Sequence, residues 1–382
     1  MSAAPYRRYA HTVPREQSTS ATGPSWWRTD VSGDAVDEVP TAPARRHLRN
    51  LRTDEVSRHA VRLVAIARRD DRVGVTSFAE LPSLLRAGDL VVVNDAATLP
   101  GSLRGQTERG EAIELRLSGP VEGNRLVGVL FGGGDHRTRT EHRPGPPFVA
   151  VGEVVRFGEL HARVVALSGR RVELVTRESG DALWQALYES GAPVQYAHRP
   201  ELLPLYAVQT AYASRPWAAE MPSAGRPLTW DVLLGLRRAG VAIATLTHAA
   251  GLSSTGDDAL DRALPWPERY EIPERTAALI AETKARGGRV IAIGTTVVRA
   301  LESSALVHGR VVGGPGIATL RLDAAYELRV VDGLVSGLHT PGESHFDLLC
   351  AFAPRERLTQ AIELAAQHGL SSHELGDACL IL

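Results

Sequence analysis

The chain reads as an α/β protein with a small β-barrel or sandwich inserted into it, and three observations predict that class. Val290 to Ile293 is a β-branched apolar run ending at Gly294 and a threonine pair, the pattern of a buried strand turning into a helix. Helix and strand patterns alternate before about residue 100 and again after about residue 180. Between Pro100 and about residue 178 the texture changes to short strands at close intervals, separated by Gly-rich turns. The expected organisation is therefore an arm at 1–36, a main unit from 37–99 and 201–382, and an insertion at 100–200.

Composition sets the outer limits. The 382 residues, 43% of them hydrophobic, are enough for two cores. A net charge of −1 provides no global pull toward nucleic acid. Of 43 basic residues only Lys284 is lysine, a bias toward arginine across the whole chain. Cys350 and Cys379 stand far apart without a C-x-x-C, so neither a disulfide framework nor a cysteine zinc site is expected. No apolar run of membrane-spanning length and no secretory leader pattern occur, and a cytoplasmic protein is the expectation.

Taken in order, residues 1–36 are rich in Ser, Thr, Pro and Ala around Trp26-Trp27, which predicts a disordered arm. His59–Arg68 reads as a strand, Ser77–Leu85 as a short helix, and Leu90–Val93 as a buried strand ending on polar Asn94 and Asp95. Five strands are predicted in the insertion: Ile113–Leu117, Arg125–Phe131, Val151–Phe157, Ala162–Leu167 and Val172–Thr176, with a hairpin turn at Ser168–Arg171. His136 and His142 fall in a polar loop and are read as solvated. Arg137, Arg139 and Arg143 cluster in the same loop, and Arg45, Arg46, Arg49 and Arg52 form a second basic strip.

Beyond the insertion, Asp181–Tyr188 is amphipathic, and Thr229 caps a helix running to Arg238. Val241–Leu246 is a strand and Pro273–Arg286 a helix. In the segment that follows, Thr295 or Thr296 caps a helix whose face at Val298, Leu301 and Ala305 packs on the sheet. Its first N–H groups form an anion seat. Arg299 and Glu302 stand three apart, placed to pair or to reach a ligand. Tyr326–Val331 and Leu334–Leu338 are read as strands about an Asp332-Gly333 turn, followed by helices at His345–Phe352 and Leu358–His368.

Together these stretches resemble the S-adenosylmethionine:tRNA ribosyltransferase-isomerase family of queuosine biosynthesis. The resemblance rests on Gly88–Asn94, Gln209-Thr210 with Tyr212-Ala213, Met221–Gly225, Glu268-Arg-Tyr270, Gly288–Glu302, Val331–Leu334, Leu338-His339 and Gly376–Ala378. The Gly-Thr-Thr-x-x-Arg-x-Leu-Glu segment is the most specific of them. The family implies an α/β domain with an inserted barrel and an enzyme that takes the ribosyl group of S-adenosylmethionine, releasing methionine and adenine. It implies tRNA as acceptor and S-adenosylmethionine as substrate; no metal is expected, since His339, Glu343 and His345 follow no fixed metal-ligand spacing.

The chain also departs from the family pattern. Where the family reads Ala-Pro-Thr-Ala-Gly-Leu-His-Phe, this chain has Glu220-Met-Pro-Ser-Ala-Gly-Arg-Pro-Leu228, so Pro227 replaces a histidine. His248 persists, while a His-x-Met-His run has become Ala263-Leu-Pro-Trp266. The catalytic candidates are His248, at the carboxyl end of a buried strand, with Glu220, Glu268 and Tyr270. Ligand contacts are expected from Gly294, Thr295, Thr296, Arg299, Ser223, Ala224, Gly225 and His339. Two other functions fit the departures: an S-adenosylmethionine enzyme with a small-molecule acceptor or none, and a non-catalytic binding protein on the same scaffold.

Overall fold

The computed structural model describes residues 58–68, 72–372 and 375–382. The arm at 1–36, its Trp26-Trp27 pair and the strip Arg45, Arg46, Arg49 and Arg52 lie outside the described residues.

The described chain opens with β1 (Arg62–Ile66), β2 (Val73–Ser77), the short α1 (Leu81–Leu84), β3 (Leu90–Asn94) and β4 (Ala97–Thr98). Six strands follow: β5 (Ser102–Gln106), β6 (Ala112–Leu117), β7 (Arg125–Gly132), β8 (Val154–Phe157), β9 (Leu160–Ser168) and β10 (Arg171–Thr176). Next come α2 (Gly180–Ser190), β11 (Gly191–Ala192), β12 (Pro216–Ala218), α3 (Trp230–Arg238) and β13 (Ala242–His248). The remainder is α4 (Asp258–Arg262), β14 (Glu268–Ile272), α5 (Glu274–Ala285), β15 (Val290–Ile293), α6 (Thr295–His308), β16 (Gly314–Ala318), β17 (Gly333–Gly337), α7 (Ser344–Leu349), α8 (Arg355–Gln367) and β18 (Ala378–Ile381).

Nine strands form one sheet in the order β16-β14-β13-β3-β15-β17-β18-β1-β2. Its central four, β13, β3, β15 and β17, are parallel, so their carboxyl ends share one edge. Both faces are covered, which is why these strands read as unbroken apolar runs. Val91, Val93, Ile291 and Ile293 pack toward Leu233 and Leu236 of α3. The alternate residues Leu90, Val92, Val290 and Ala292 pack toward Val298 and Leu301 of α6.

The insertion is a closed barrel. Its strands run β5-β6-β7-β10-β9-β8, and Gln106 of β5 pairs with Arg156 of β8 to close the ring, while β11 adds to β5 outside it. Closure brings the Arg156 carbonyl against Gly105, where any Cβ would collide with it. The interior is filled by Leu103, Ile113, Leu115, Phe157, Val164 and Leu174.

Several local expectations are corrected. Tyr326–Val331 is not a strand: the buried Glu302 carboxylate accepts from the amides of Arg329, Val330 and Val331 and from the Tyr326 hydroxyl, replacing a ladder partner. Val151 and Gly152 form a turn, with Gly152 at φ 96°, so the strand starts at Val154. The first strand starts at Arg62, because Arg58–Ala60 is a 3₁₀ turn. Thr229 occupies the N-cap of α3, yet its hydroxyl makes no capping bond. Gly294 itself, at φ 95°, is the N-cap of α6, and Thr295 and Thr296 are its first helical residues.

The polar loop of the barrel is also more ordered than its composition implies. His136 is buried, with Nε2 3.1 Å from the Pro200 carbonyl oxygen. Arg143 is buried as well, with Nη1 2.7 Å from Glu114 Oε2, so it is not part of a solvent-facing basic cluster. Arg137 instead pairs with Asp135.

Candidate active site

The common edge of β13, β3, β15 and β17 carries Asn94, His248, Gly294 and, just past β17, His339. Such a carboxyl edge is where open α/β sheets bind ligands. Antiparallel β14 begins at the same edge, which brings Glu268 beside the end of β13.

Asn94 ties three of these elements together. Its Oδ1 accepts from the His248 amide at 2.9 Å, and its Nδ2 donates to the His248 carbonyl at 3.0 Å and to Thr296 Oγ1 at 3.4 Å. Backbone held on both sides fixes the direction of the His248 ring. That ring is fully buried, and neither nitrogen has a hydrogen-bond partner. Burial, with the Arg299 charge second, holds its pKa at about 3 and keeps the imidazole neutral.

Glu268 faces it, with Oε2 3.6 Å from His248 Nε2. The same oxygen is paired with Arg299 Nη1, and Oε1 accepts from the Gly251 amide at 2.6 Å. The remaining Arg299 contacts are backbone oxygens: Leu320 to Nε at 3.1 Å, and Trp266 and Ala318 to Nη2 at 3.2 and 3.0 Å. The expectation that Arg299 pairs with Glu302 is therefore corrected. Glu302 is turned to the 326–331 loop, and the Arg299 guanidinium is occupied in holding Glu268.

The other expected residues divide by position. Ser223, Ala224 and Gly225 form a 3₁₀ turn that packs beside Gly294, where an added Cβ would meet the Ala224 methyl at 3.8 Å. Thr295 and Thr296 open α6, so their amides have no intrahelical acceptor. His339 lies 3.1 Å from Glu343 Oε2 and stacks on His345 with ring centroids 4.7 Å apart. Burial opposes it, but hydrogen bonds from His339 and Thr340 hold the Glu343 pKa down to about 2.

Tyr270 is the strand partner of His248, and Glu220 anchors the loop that follows β13. Tyr270 is a core residue: its buried ring lies against Gly316, on which no side chain would fit, among residues of β14 and α6. Glu220 is a loop anchor, accepting the Tyr196 hydroxyl, the Ser253 amide at 2.7 Å and the Ser253 hydroxyl at 3.2 Å. Burial pushes its carboxyl pKa up against those bonds. Asn94 and Gly251 carry little signal in the sequence: a polar residue ending an apolar strand, and a glycine three residues past His248. Among the described residues no group of three or more His, Cys, Asp or Glu is arranged to hold a metal. None of their helices is long and apolar enough to cross a membrane.

The family described as "Queuosine biosynthesis protein" matches residues 47–381. The chain belongs to that family. Relatives from the queuosine family include the S-adenosylmethionine:tRNA ribosyltransferase-isomerase of Anaeromyxobacter dehalogenans (strain 2CP-C), to which this chain is 35% identical over 333 residues, 85% of this chain and 93% of the relative. A second of the same name, from Gloeobacter violaceus, is 34% identical over 318 residues, 80% of this chain and 85% of the relative. Among solved structures, an S-adenosylmethionine tRNA ribosyltransferase from Thermotoga maritima is 24% identical with a TM-score of 0.46, covering 85% of this chain and 94% of that one.

Proposed function

We propose that this chain is an S-adenosylmethionine:tRNA ribosyltransferase-isomerase, consuming S-adenosylmethionine as a substrate and releasing adenine and methionine. The reading is carried by the buried His248 with both ring nitrogens unpartnered, facing a carboxylate that Arg299 and Gly251 hold in place. Family membership supports the same reaction and tRNA as acceptor.

A sulfonium acidifies the carbon beside it, and a neutral imidazole has the free lone pair that proton abstraction from C5′ requires. His248 is that base, and the Glu268 carboxylate meets the imidazolium charge that results. The amides of Thr295 and Thr296, at the positive end of α6, receive the amino-acid carboxylate of the substrate. Gly294 and the Ser223–Gly225 turn border that seat, and His339 closes the neighbouring strand end. Arg299 acts through Glu268. Glu220 fixes the 249–254 loop at Ser253, as Glu268 does at Gly251.

The test is incubation of the purified protein with S-adenosylmethionine, with and without tRNA, while adenine and methionine are quantified. tRNA-dependent release of both supports the proposal. Release without any RNA shows a changed acceptor, and no release at all overturns the enzyme reading.

A further inference from the structure

Beside the His248–Glu268 pair a second feature opens toward the barrel. A cleft of about 310 Å³, including its open mouth, lies between the barrel residues Ser118 and Arg171 and the residues Gly251, Leu252, Trp266 and Glu268. Trp266 is half-buried, and the exposed Arg171 guanidinium covers its ring at 5.1 Å from the centroid. The Trp266 carbonyl accepts from Arg299, the residue that also holds Glu268, so this wall is tied to the candidate active site. Gly251 allows the two units to meet here: a Cβ on it would stand 3.0 Å from Glu268 Oε1 and 3.4 Å from the Ser118 carbonyl.

We infer that Trp266 is the stacking platform for an unpaired base of the RNA acceptor and Arg171 the cation for its phosphate, with Glu268 lining the same cleft. The inference rests on the proposed RNA acceptor and adds which residues select it. A cleft lined by an indole, Leu252, Leu264 and the Glu268 carboxylate suits a heterocycle with polar edges. Single-stranded bases stack on aromatic faces in this way. The phosphate attached to such a base needs a cation, and the exposed Arg171 lines the cleft. S-adenosylmethionine is assigned elsewhere: its seat at Gly294–Thr296 belongs wholly to the nine-stranded sheet, whereas this cleft is half built by the barrel. When a base occupies the indole face, the exposed Arg171 moves from the ring to the backbone phosphate.

The experiment compares the full-length protein with W266A, W266F and R171A. Binding of an unmodified tRNA transcript is measured by filter retention at low and moderate salt, and S-adenosylmethionine binding by calorimetry. Thermal melting confirms that each variant is folded. W266A is expected to weaken RNA binding about tenfold or more while W266F keeps most of it. R171A is expected to weaken it and to make its salt dependence shallower by about one phosphate contact. S-adenosylmethionine affinity stays within about twofold in all three. If W266A weakens S-adenosylmethionine binding instead, the cleft is a nucleoside subsite of that substrate and the inference is overturned. Unchanged RNA binding in W266A overturns it while leaving the proposed reaction standing. If the unsubstituted protein binds no RNA, the inference and the tRNA acceptor fall together, and turnover of S-adenosylmethionine is judged separately.

Discussion

At the residue scale, His248 is the group whose environment does most to determine its chemistry. An ordinary imidazole titrates near 6.5, whereas burial holds this one at about 3. It is therefore neutral throughout the neutral range, and turnover of S-adenosylmethionine should show no loss from its protonation between about pH 8 and pH 6. Its depressed value also sets a stability trend. The unfolded chain takes up the proton first as pH falls, so His248 costs about 1.4 kcal/mol of stability per pH unit between about 6.5 and 3. In H248Q that acid dependence should flatten over the same window in denaturant titrations, and S-adenosylmethionine turnover should fall by at least about a hundredfold. A rate near that of the unsubstituted protein would remove His248 from the mechanism. Arg299 is the complementary case. R299A leaves the Glu268 carboxylate buried without its cation, a change expected to cost about 3–5 kcal/mol in unfolding free energy. A loss below about 1 kcal/mol would mean that the pair is solvated in solution.

At the element scale, the segment from Gly294 to Glu302 does two jobs from opposite faces of α6. Its start borders the candidate ligand seat, and Glu302 on its inner face replaces a missing strand as partner for three successive amides. Removing that carboxylate strands the amides of Arg329, Val330 and Val331. E302A is expected to destabilise the protein by about 3 kcal/mol or more, with new amide hydrogen exchange concentrated at 326–331. Exchange unchanged in that loop would show that its order has another source. The loop at 249–254 is held in an analogous way, by Glu268 at the Gly251 amide and by Glu220 at Ser253.

At the scale of the whole molecule, the barrel and the nine-stranded sheet have separate cores joined by a small cluster containing Phe131, Val194, Tyr196, Ala219 and Leu252. We propose that residues 99–193 fold on their own. The ring is closed, so its only unpaired edges are short, and its interior is filled by its own side chains. Expressed alone, this segment should melt cooperatively and give a β-type circular dichroism spectrum. A non-cooperative profile would mean that the barrel needs the α/β sheet as a template. Catalysis is expected from neither part alone, because the cleft beside Glu268 has one wall from each.

What the sequence determined by itself is local. β-branched runs at Leu90–Asn94 and Val290–Ile293, glycine turns such as Gly169, and the change of texture near residue 100 are patterns within ten residues, and the α/β class with an inserted β-rich unit follows from them, whereas closure of that unit into a barrel does not. Only the tertiary structure decided the partnerships. Asn94 and His248 are 154 positions apart and meet because parallel strands bring their carboxyl ends to one edge; Glu268 and Arg299 are 31 apart and meet because antiparallel β14 starts at that same edge, beside the first turns of α6. The same distance from local pattern explains the misreadings. Tyr326–Val331 has strand-like alternation, but a buried carboxylate on another element took its hydrogen bonds. Arg143 and His136 have the composition of a solvated loop, yet Glu114 and the Pro200 carbonyl draw them inside. Burial and charge pairing depend on what the rest of the chain places nearby, and a one-dimensional pattern carries no record of it.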